Sequence, residues 1–192
     1  MAKALKLGLT LFIISAISGI VLAVVYNVTA PIIQGEHDRA VQEGLCEVVQ
    51  NASRFELLDE DDVNTLHVLS KTYSSVKEIY FAYEGSDRVG MVISLSVSGY
   101  GGPVGMLIGV SSDGYISGVR IIEHTETPGL GAKVEDDSFT SQFVGIYNDS
   151  SLALEGQGGD IVGITRATIS SKAVVEGAHM ALDVAEIMFQ MY

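Results

Sequence analysis

At 192 residues, with 11 Lys+Arg against 24 Asp+Glu and a formal net charge of −13, the chain has the size of one domain with an appendage. Its 47% hydrophobic content excludes an intrinsically disordered chain, and its acidity argues against a nucleic-acid partner, because carboxylates repel a phosphate backbone. A single cysteine, Cys46, excludes a disulfide framework, a thiolate iron–sulfur cluster and a Cys-based zinc site.

Charge and apolarity are unevenly shared. No charged residue lies between Lys6 and Glu36, and the chain after Lys6 carries 24 acids against 9 bases, net −15. Leu7 to Val25 (LGLTLFIISAISGIVLAVV) is uncharged and mostly aliphatic. As a helix it spans about 28 Å, close to the ~30 Å hydrocarbon core of a bilayer. Tyr26 follows at a position that suits an interfacial aromatic, and Lys3 and Lys6 precede it. The positive-inside rule then places the N-terminus in the cytoplasm and the acidic body outside the cytoplasmic membrane, on a single pass. A cleaved signal peptide is the competing reading. Its apolar core is shorter, about 7–15 residues, and ends at a small-x-small site that is not evident here. Ser15, Gly19 and Ala23 recur every four residues, spacing that lets helices approach closely in lipid.

The expected anatomy is a transmembrane anchor and exit over residues 1–34, a helical spacer over 35–72 and a folded domain over 73–192. Pro31 is expected to end or kink the first helix. Residues from Gln34 to about Leu58, with AVQEGLCEVV, read as an amphipathic helix, and Cys46 in its apolar stretch reads as a small hydrophobe without chemistry. From Tyr73 the signals are strand-like: VKEIYFAYE, RVGMVISLSVSG and PVGMLIGVSSDGYISGVRIIEH are rich in Val, Ile and Tyr. Ser112-Asp113-Gly114-Tyr115 reads as a hairpin turn. Asp136 to Tyr147 is expected to hold a short helix before the polar NDSS loop, and GQGGD at 156–160 another turn. In the last segment Val174, Ala178, Ala181, Ala185, Met188 and Tyr192 recur at steps of four and three, one apolar helical stripe with Ser170 and Ser171 as N-cap candidates. The class is α+β: one transmembrane helix, then a domain of twisted, mainly antiparallel sheet with packed helices.

Three segments have residues that suit a ligand. Gly99-Tyr100-Gly101-Gly102-Pro103 reads as a tight connection, and equally permits backbone to approach a flat molecule. His124-Thr125-Glu126-Thr127-Pro128-Gly129-Leu130-Gly131-Ala132-Lys133 follows a strand, and its glycines leave amides open to ligand acceptors. His124 and Glu126 do not make a complete metal-ligand set, so no metal is assigned. Thr165-Arg166-Ala167-Thr168-Ile169-Ser170-Ser171 gathers hydroxyls at a helix start, which reads either as capping or as an anion site. No residue is assigned a catalytic role: nucleophile triads, a nucleotide P-loop and paired-carboxylate spacing are not seen in the sequence.

Together, GYGGPVGMLIGVSSDGYISGVRIIEHTETPGLGAK and ATISSKAVVEG strongly resemble the FMN-binding domain of the Rnf complex G subunit, and are similar to the C subunit of the sodium-pumping NADH:quinone reductase. The resemblance covers roughly residues 73–192. It implies an FMN joined through its phosphate to a threonine, here Thr168, by a phosphoester that a dedicated flavin transferase installs. It further implies that Tyr100, Gly101, Gly102 and Pro103, with Glu126, Thr127, Gly129, Leu130 and Lys133, hold the flavin ring, and that Thr165, Arg166 and Ser170 lie beside the phosphate. The chain departs from the family motif in two places: Arg166 replaces its glycine, and Val162 replaces an acid six residues before the threonine, with Asp160 eight before. The function implied is a membrane-anchored electron-transfer subunit of an Rnf-type ion-translocating oxidoreductase, with other membrane subunits, the flavin transferase and membrane lipid as partners. The alternatives are a protein like the quinone-reductase C subunit and a flavin-free, membrane-tethered scaffold.

Overall fold

The computed structural model describes residues 2–58, 73–147 and 151–191. Residues 59–72 of the segment expected as spacer, the NDSS loop up to Ser150, and Tyr192 of the apolar stripe lie outside the described residues. The chain divides into two compact units, 1–40 and 41–192.

The first unit is helical, part of a helix that runs over Ala2–Val48. Its most apolar window has a mean hydropathy of 2.5 and none of it is buried. Of the two outcomes expected at Pro31, an end or a kink, the helix does not end there: Pro31 lies inside it. Proline removes one backbone donor, a cost of about 3 kcal/mol, and a helix this long and apolar tolerates one missing bond. Thr29 Oγ1 donates to the Val25 carbonyl at 2.9 Å just upstream.

The second unit is a sheet covered on both faces. Five strands, β1 (Arg54–Leu57), β2 (Val76–Glu84), β3 (Asp87–Ser98), β4 (Pro103–Ser111) and β5 (Ile116–His124), lie in sequence order and pair antiparallel throughout. The Val, Ile and aromatic runs form β2 to β5, where branched side chains pack well on a pleated surface. The turn at Ser112–Tyr115 joins β4 to β5, with the Gly114 amide donating to the Ser111 carbonyl at 2.9 Å. β3 and β4 are buried on both faces, which is why they read as near-continuous apolar runs.

One face carries Ile79, Met91, Ile93, Leu95, Met106 and Ile108 against the C-terminal helix, Thr168–Met191. Val174, Ala178, Ala181, Ala185 and Met188 of the expected stripe are all buried there. The other face carries Ala82, Val92 and Leu107, and is covered by Val41, Leu45, Val48 and Val49. The stretch read as a spacer is therefore partly core. Its helix stops at Val48, and Arg54–Leu57 forms an edge strand rather than helix. Ser117 Oγ donates to the Val48 carbonyl at 2.6 Å, satisfying a helix-end acceptor. Gly118 permits this approach, because a Cβ there would meet the Val48 backbone. Cys46, expected in the apolar stretch, is exposed.

Two local expectations change. The helix expected over Asp136–Tyr147 shrinks to Asp137–Thr140 and a 3₁₀ turn over Ser141–Phe143. It stops because Val144 is extended and Gly145 takes φ 84°, while Phe139 and Phe143 pack edge to face at 5.5 Å. Ser170 and Ser171 lie inside the first turn of the C-terminal helix, which starts at Thr168, and so do not cap it.

Candidate functional site

A cavity of about 390 Å³ opens where three connections converge, a volume within the roughly 300–1,000 Å³ usual for small-molecule sites. Tyr100 of the β3–β4 connection forms one wall, Glu126, Thr127, Leu130 and Gly131 after β5 a second, and Arg166 through Ser170 the third.

The walls are held together by one carboxylate. Glu126 is 5% exposed. Its Oε1 accepts from the Tyr100 amide at 2.7 Å and the Gly101 amide at 3.2 Å, and its Oε2 accepts from Ser170 Oγ at 2.8 Å. A charged acceptor with three donors offsets its desolvation through charge-assisted bonds. Glu126 therefore lines the cavity while its oxygens serve the protein's own loops. Gly131 sits against this knot, where a Cβ would meet both the carboxylate and the Ser170 hydroxyl. Thr125 Oγ1 adds a bond to the Gly101 carbonyl at 3.0 Å.

His124 stands beside the knot without entering the cavity. Its Nδ1 accepts from the Glu126 amide at 3.3 Å and its Nε2 meets Glu135 Oε2 at 3.2 Å. The acceptor role at Nδ1 puts the proton of the neutral ring on Nε2.

At the third wall the chain turns sharply. The Ala167 amide donates to the Ile164 carbonyl at 3.0 Å and Arg166 takes φ 65°. The helix then begins at Thr168, and the Ser171 amide is the first to find a carbonyl one turn back, that of Ala167 at 3.0 Å. The amides of Thr168, Ile169 and Ser170 precede that register, as the first amides of any helix do, and carry its partial positive charge. Ser171 Oγ accepts from the Ile164 amide at 2.9 Å and donates to Ala167, so this serine fastens the turn.

Of the residues expected at a site, Tyr100, Glu126, Thr127, Leu130, Arg166, Thr168 and Ser170 line one cavity. Gly101, Gly102, Pro103, Gly129, Lys133 and Thr165 do not. Gly101 contributes its amide to Glu126, Pro103 opens β4 opposite Ser98, and Lys133 is exposed on the 3₁₀ segment Gly131–Glu135. Gly131, Ala167 and Ile169 also line it; they lie within the segments singled out from the sequence but were not individually assigned to the site. Ile169 had a signal: it is an aliphatic in the first helical turn but off the buried stripe, and it is 53% exposed.

The surface left open is chemically two-ended. Tyr100, Leu130 and Ile169 are 72%, 38% and 53% exposed, large apolar groups facing solvent at the cavity. Beside them lie the helix start, Thr168 and Arg166. Such a site suits a flat apolar body carrying an anion at one end, and FMN has that form.

Comparison with known proteins agrees. A family model described as the FMN-binding domain matches residues 99–183. The G subunit of the Na(+)-translocating ferredoxin:NAD(+) oxidoreductase complex of Acetobacterium woodii is 35% identical, the match covering 93% of this chain and 90% of that one. The G subunit of the ion-translocating oxidoreductase complex of Methanosarcina acetivorans is 32% identical, with 93% and 92% covered. In fold, the crystal structure of the C subunit of Na(+)-translocating NADH-quinone reductase from Parabacteroides distasonis superposes with a TM-score of 0.56 at 23% identity, over 82% of this chain and 94% of that one.

Proposed function

Because the chain belongs to the G-subunit family of ion-translocating oxidoreductase complexes, we propose that it is the membrane-anchored electron-transfer subunit of an Rnf-type complex, working through an FMN held in the cavity beside Thr168. The observation that carries this reading is the two-ended cavity, whose exposed apolar wall and cationic helix start match a flavin ring and its phosphate.

When bound, FMN supplies a reversible electron carrier, and the protein supplies position and electrostatics. Leu130, Ile169 and Tyr100 would shield the ring from water, and Arg166 and the first-turn amides would hold the phosphate. Glu126 keeps the three walls in register. The chain is one component, and electrons enter and leave it through other membrane subunits of the complex.

We further assign the attachment to Thr168: its hydroxyl oxygen would attack the flavin-bearing phosphorus of an activated flavin diphosphate donor, the P–O bond to the donor's other phosphate breaking as the phosphoester forms and the hydroxyl proton passing to a base. A threonine hydroxyl is not acidic enough to ionise at neutral pH, so a flavin transferase is required. Thr168 is exposed and lines the cavity. The N-terminal helix anchors the protein in lipid, with Lys3 and Lys6 in the cytoplasm and the FMN domain on the extracytoplasmic side.

Co-expression with the flavin transferase, followed by in-gel fluorescence after denaturation and peptide mass mapping, tests the assignment. Thr168→Val preserves the side-chain shape and abolishes the fluorescent band, while Thr165→Val retains it. A band that persists in Thr168→Val moves the attachment elsewhere.

A further inference from the structure

A second cavity, of about 400 Å³, lies at the other end of the sheet. β4 leaves the Tyr100 connection at Pro103 and ends at Ser111, about 27 Å further on by strand rise. There the β4–β5 turn meets the last turns of the C-terminal helix. The buried part of the lining is aliphatic, with Leu182 and Ala185, and two rings, Tyr147 and Phe189, also line it. Asp113 and Glu186 bring two carboxylates, and no Lys, Arg or His lines the cavity. Among the described residues neither carboxylate takes part in a hydrogen bond or an ion pair. Arg88 shows what this corner accommodates. Its guanidinium lies over the Phe189 ring, 5.7 Å from the centroid, and over Phe81 at 5.2 Å.

We propose that this second cavity is a docking site for a partner protein and receives one of that partner's arginine side chains. Arginine matches each part of the lining. Its aliphatic stem buries against Leu182 and Ala185, its planar head stacks on an aromatic ring, and its fork of donors meets Asp113 and Glu186. Lysine offers the stem and the charge but neither the plane nor the fork. Charge favours such a partner before contact, since the chain after Lys6 carries net −15 and draws a basic surface towards it. A free amine is the poorer occupant. Tyr147 is 50% exposed, an apolar surface that a partner's neighbouring side chains cover and a small cation does not. An arginine seated in an aromatic pocket is also a common anchor of protein interfaces. The site is remote from the cavity at Thr168 and does not depend on what that cavity holds.

The test uses the full chain in detergent, with N-acetylarginine amide as the probe. The citrulline analogue, nearly the same shape without the charge, is the control, and binding is followed by the NMR shift of the Gly114 amide. The arginine probe is expected to bind about tenfold more tightly than citrulline, the equivalent of one charge-assisted contact. The lysine analogue falls between them. Asp113→Asn combined with Glu186→Gln erases the preference, while Gln190→Glu, which adds a third carboxylate to the lining, increases it. Equal affinity for arginine and citrulline overturns the proposal, as does a preference that survives the double substitution. A lysine probe that binds as well as arginine overturns the choice of arginine. In membranes, a benzophenone side chain at Gln190 is expected to cross-link to an arginine-bearing peptide of another protein, and to lose that product in the Asp113→Asn, Glu186→Gln background. Cross-links only to lipid or to a second copy of this chain overturn the partner assignment.

Discussion

The Glu126 carboxylate accepts a hydrogen bond from the Ser170 hydroxyl at 2.8 Å, across 44 residues of sequence. The same carboxylate takes the Tyr100 and Gly101 amides, so one side chain joins the β3–β4 connection, the loop after β5 and the C-terminal helix. Losing it leaves three donors without their acceptor. Glu126→Ala is expected to cost about 3 kcal/mol, from buried donors worth roughly 1–3 kcal/mol each and partly rescued by water. Glu126→Gln keeps a carbonyl for the two amides and costs about 1 kcal/mol. Ser170→Ala costs about 1–2 kcal/mol, and much less in a Glu126→Ala background. Denaturant unfolding of the four proteins as a double-mutant cycle measures this, and additive losses would show that the pair does not interact.

Gly131 and Gly129 are separated by one residue and resist substitution for different reasons. A Cβ on Gly131 collides with the Glu126 carboxylate and the Ser170 hydroxyl, while one on Gly129 meets open space but inherits φ 75°. Gly131→Ala is expected to destabilise by about 1–3 kcal/mol through overpacking. It should also weaken flavin binding, since it displaces two walls of the cavity. Gly129→Ala costs about 1–2 kcal/mol of backbone strain and leaves affinity near the parent's. Thermal melts alongside FMN titrations separate the two, and equal affinity losses would contradict the assignment.

Truncation locates the boundary of the soluble unit. A chain beginning at Val41 is expected to fold, because Val41, Leu45, Val48 and Val49 stay on the sheet. A chain beginning at Asn51 uncovers Ala82, Val92 and Leu107. Each lost aliphatic burial is worth roughly 1.5–3 kcal/mol, so four together rival a domain's whole stability of about 5–15 kcal/mol. Circular dichroism and size-exclusion chromatography of the two fragments decide it. A folded, monomeric fragment from Asn51 would refute the role given to the helix end.

Arg166 and Lys133 should differ in their effect on the flavin's potential. Reduction adds negative charge, and a nearby cation stabilises it. Arg166→Ala is expected to lower the midpoint potential by on the order of 30 mV, about 1.4 kcal/mol for a two-electron couple. Lys133→Ala, outside the cavity, is expected to leave it unchanged. Redox titration of both flavinylated variants reads this directly, and a shift confined to Lys133→Ala would reverse the assignment.

Much of the sheet was legible because β-branched runs and an Asp-Gly turn are local signals. The C-terminal helix was legible for the same reason, as five of its stripe residues are buried where the period places them. The covering of the second face was not. An amphipathic stretch such as AVQEGLCEVV declares an apolar side but not the surface it meets, and RFEL is too short and too charged to alternate, as suits an edge strand. At the site, the glycine-rich loops announced themselves through composition, whereas the role of Glu126 did not. Its partners are fixed by how three distant connections fold together, and no local pattern encodes that.

The placement of the chain's two ends in the second unit has a consequence for biogenesis. Residues 41–49 cover one face of the sheet, and the helix Thr168–Met191 covers the other. During synthesis the apolar helix emerges before the strands and can enter the bilayer before any strand exists. The strands in turn precede the helix Thr168–Met191, so one face of the sheet stays bare until that helix is made. Thr168, Arg166 and the Ser170 bond to Glu126 all belong to that helix or to the turn before it. The cavity therefore gains its third wall only after the sheet that carries the other two, and folding of the sheet precedes any occupation of the cavity.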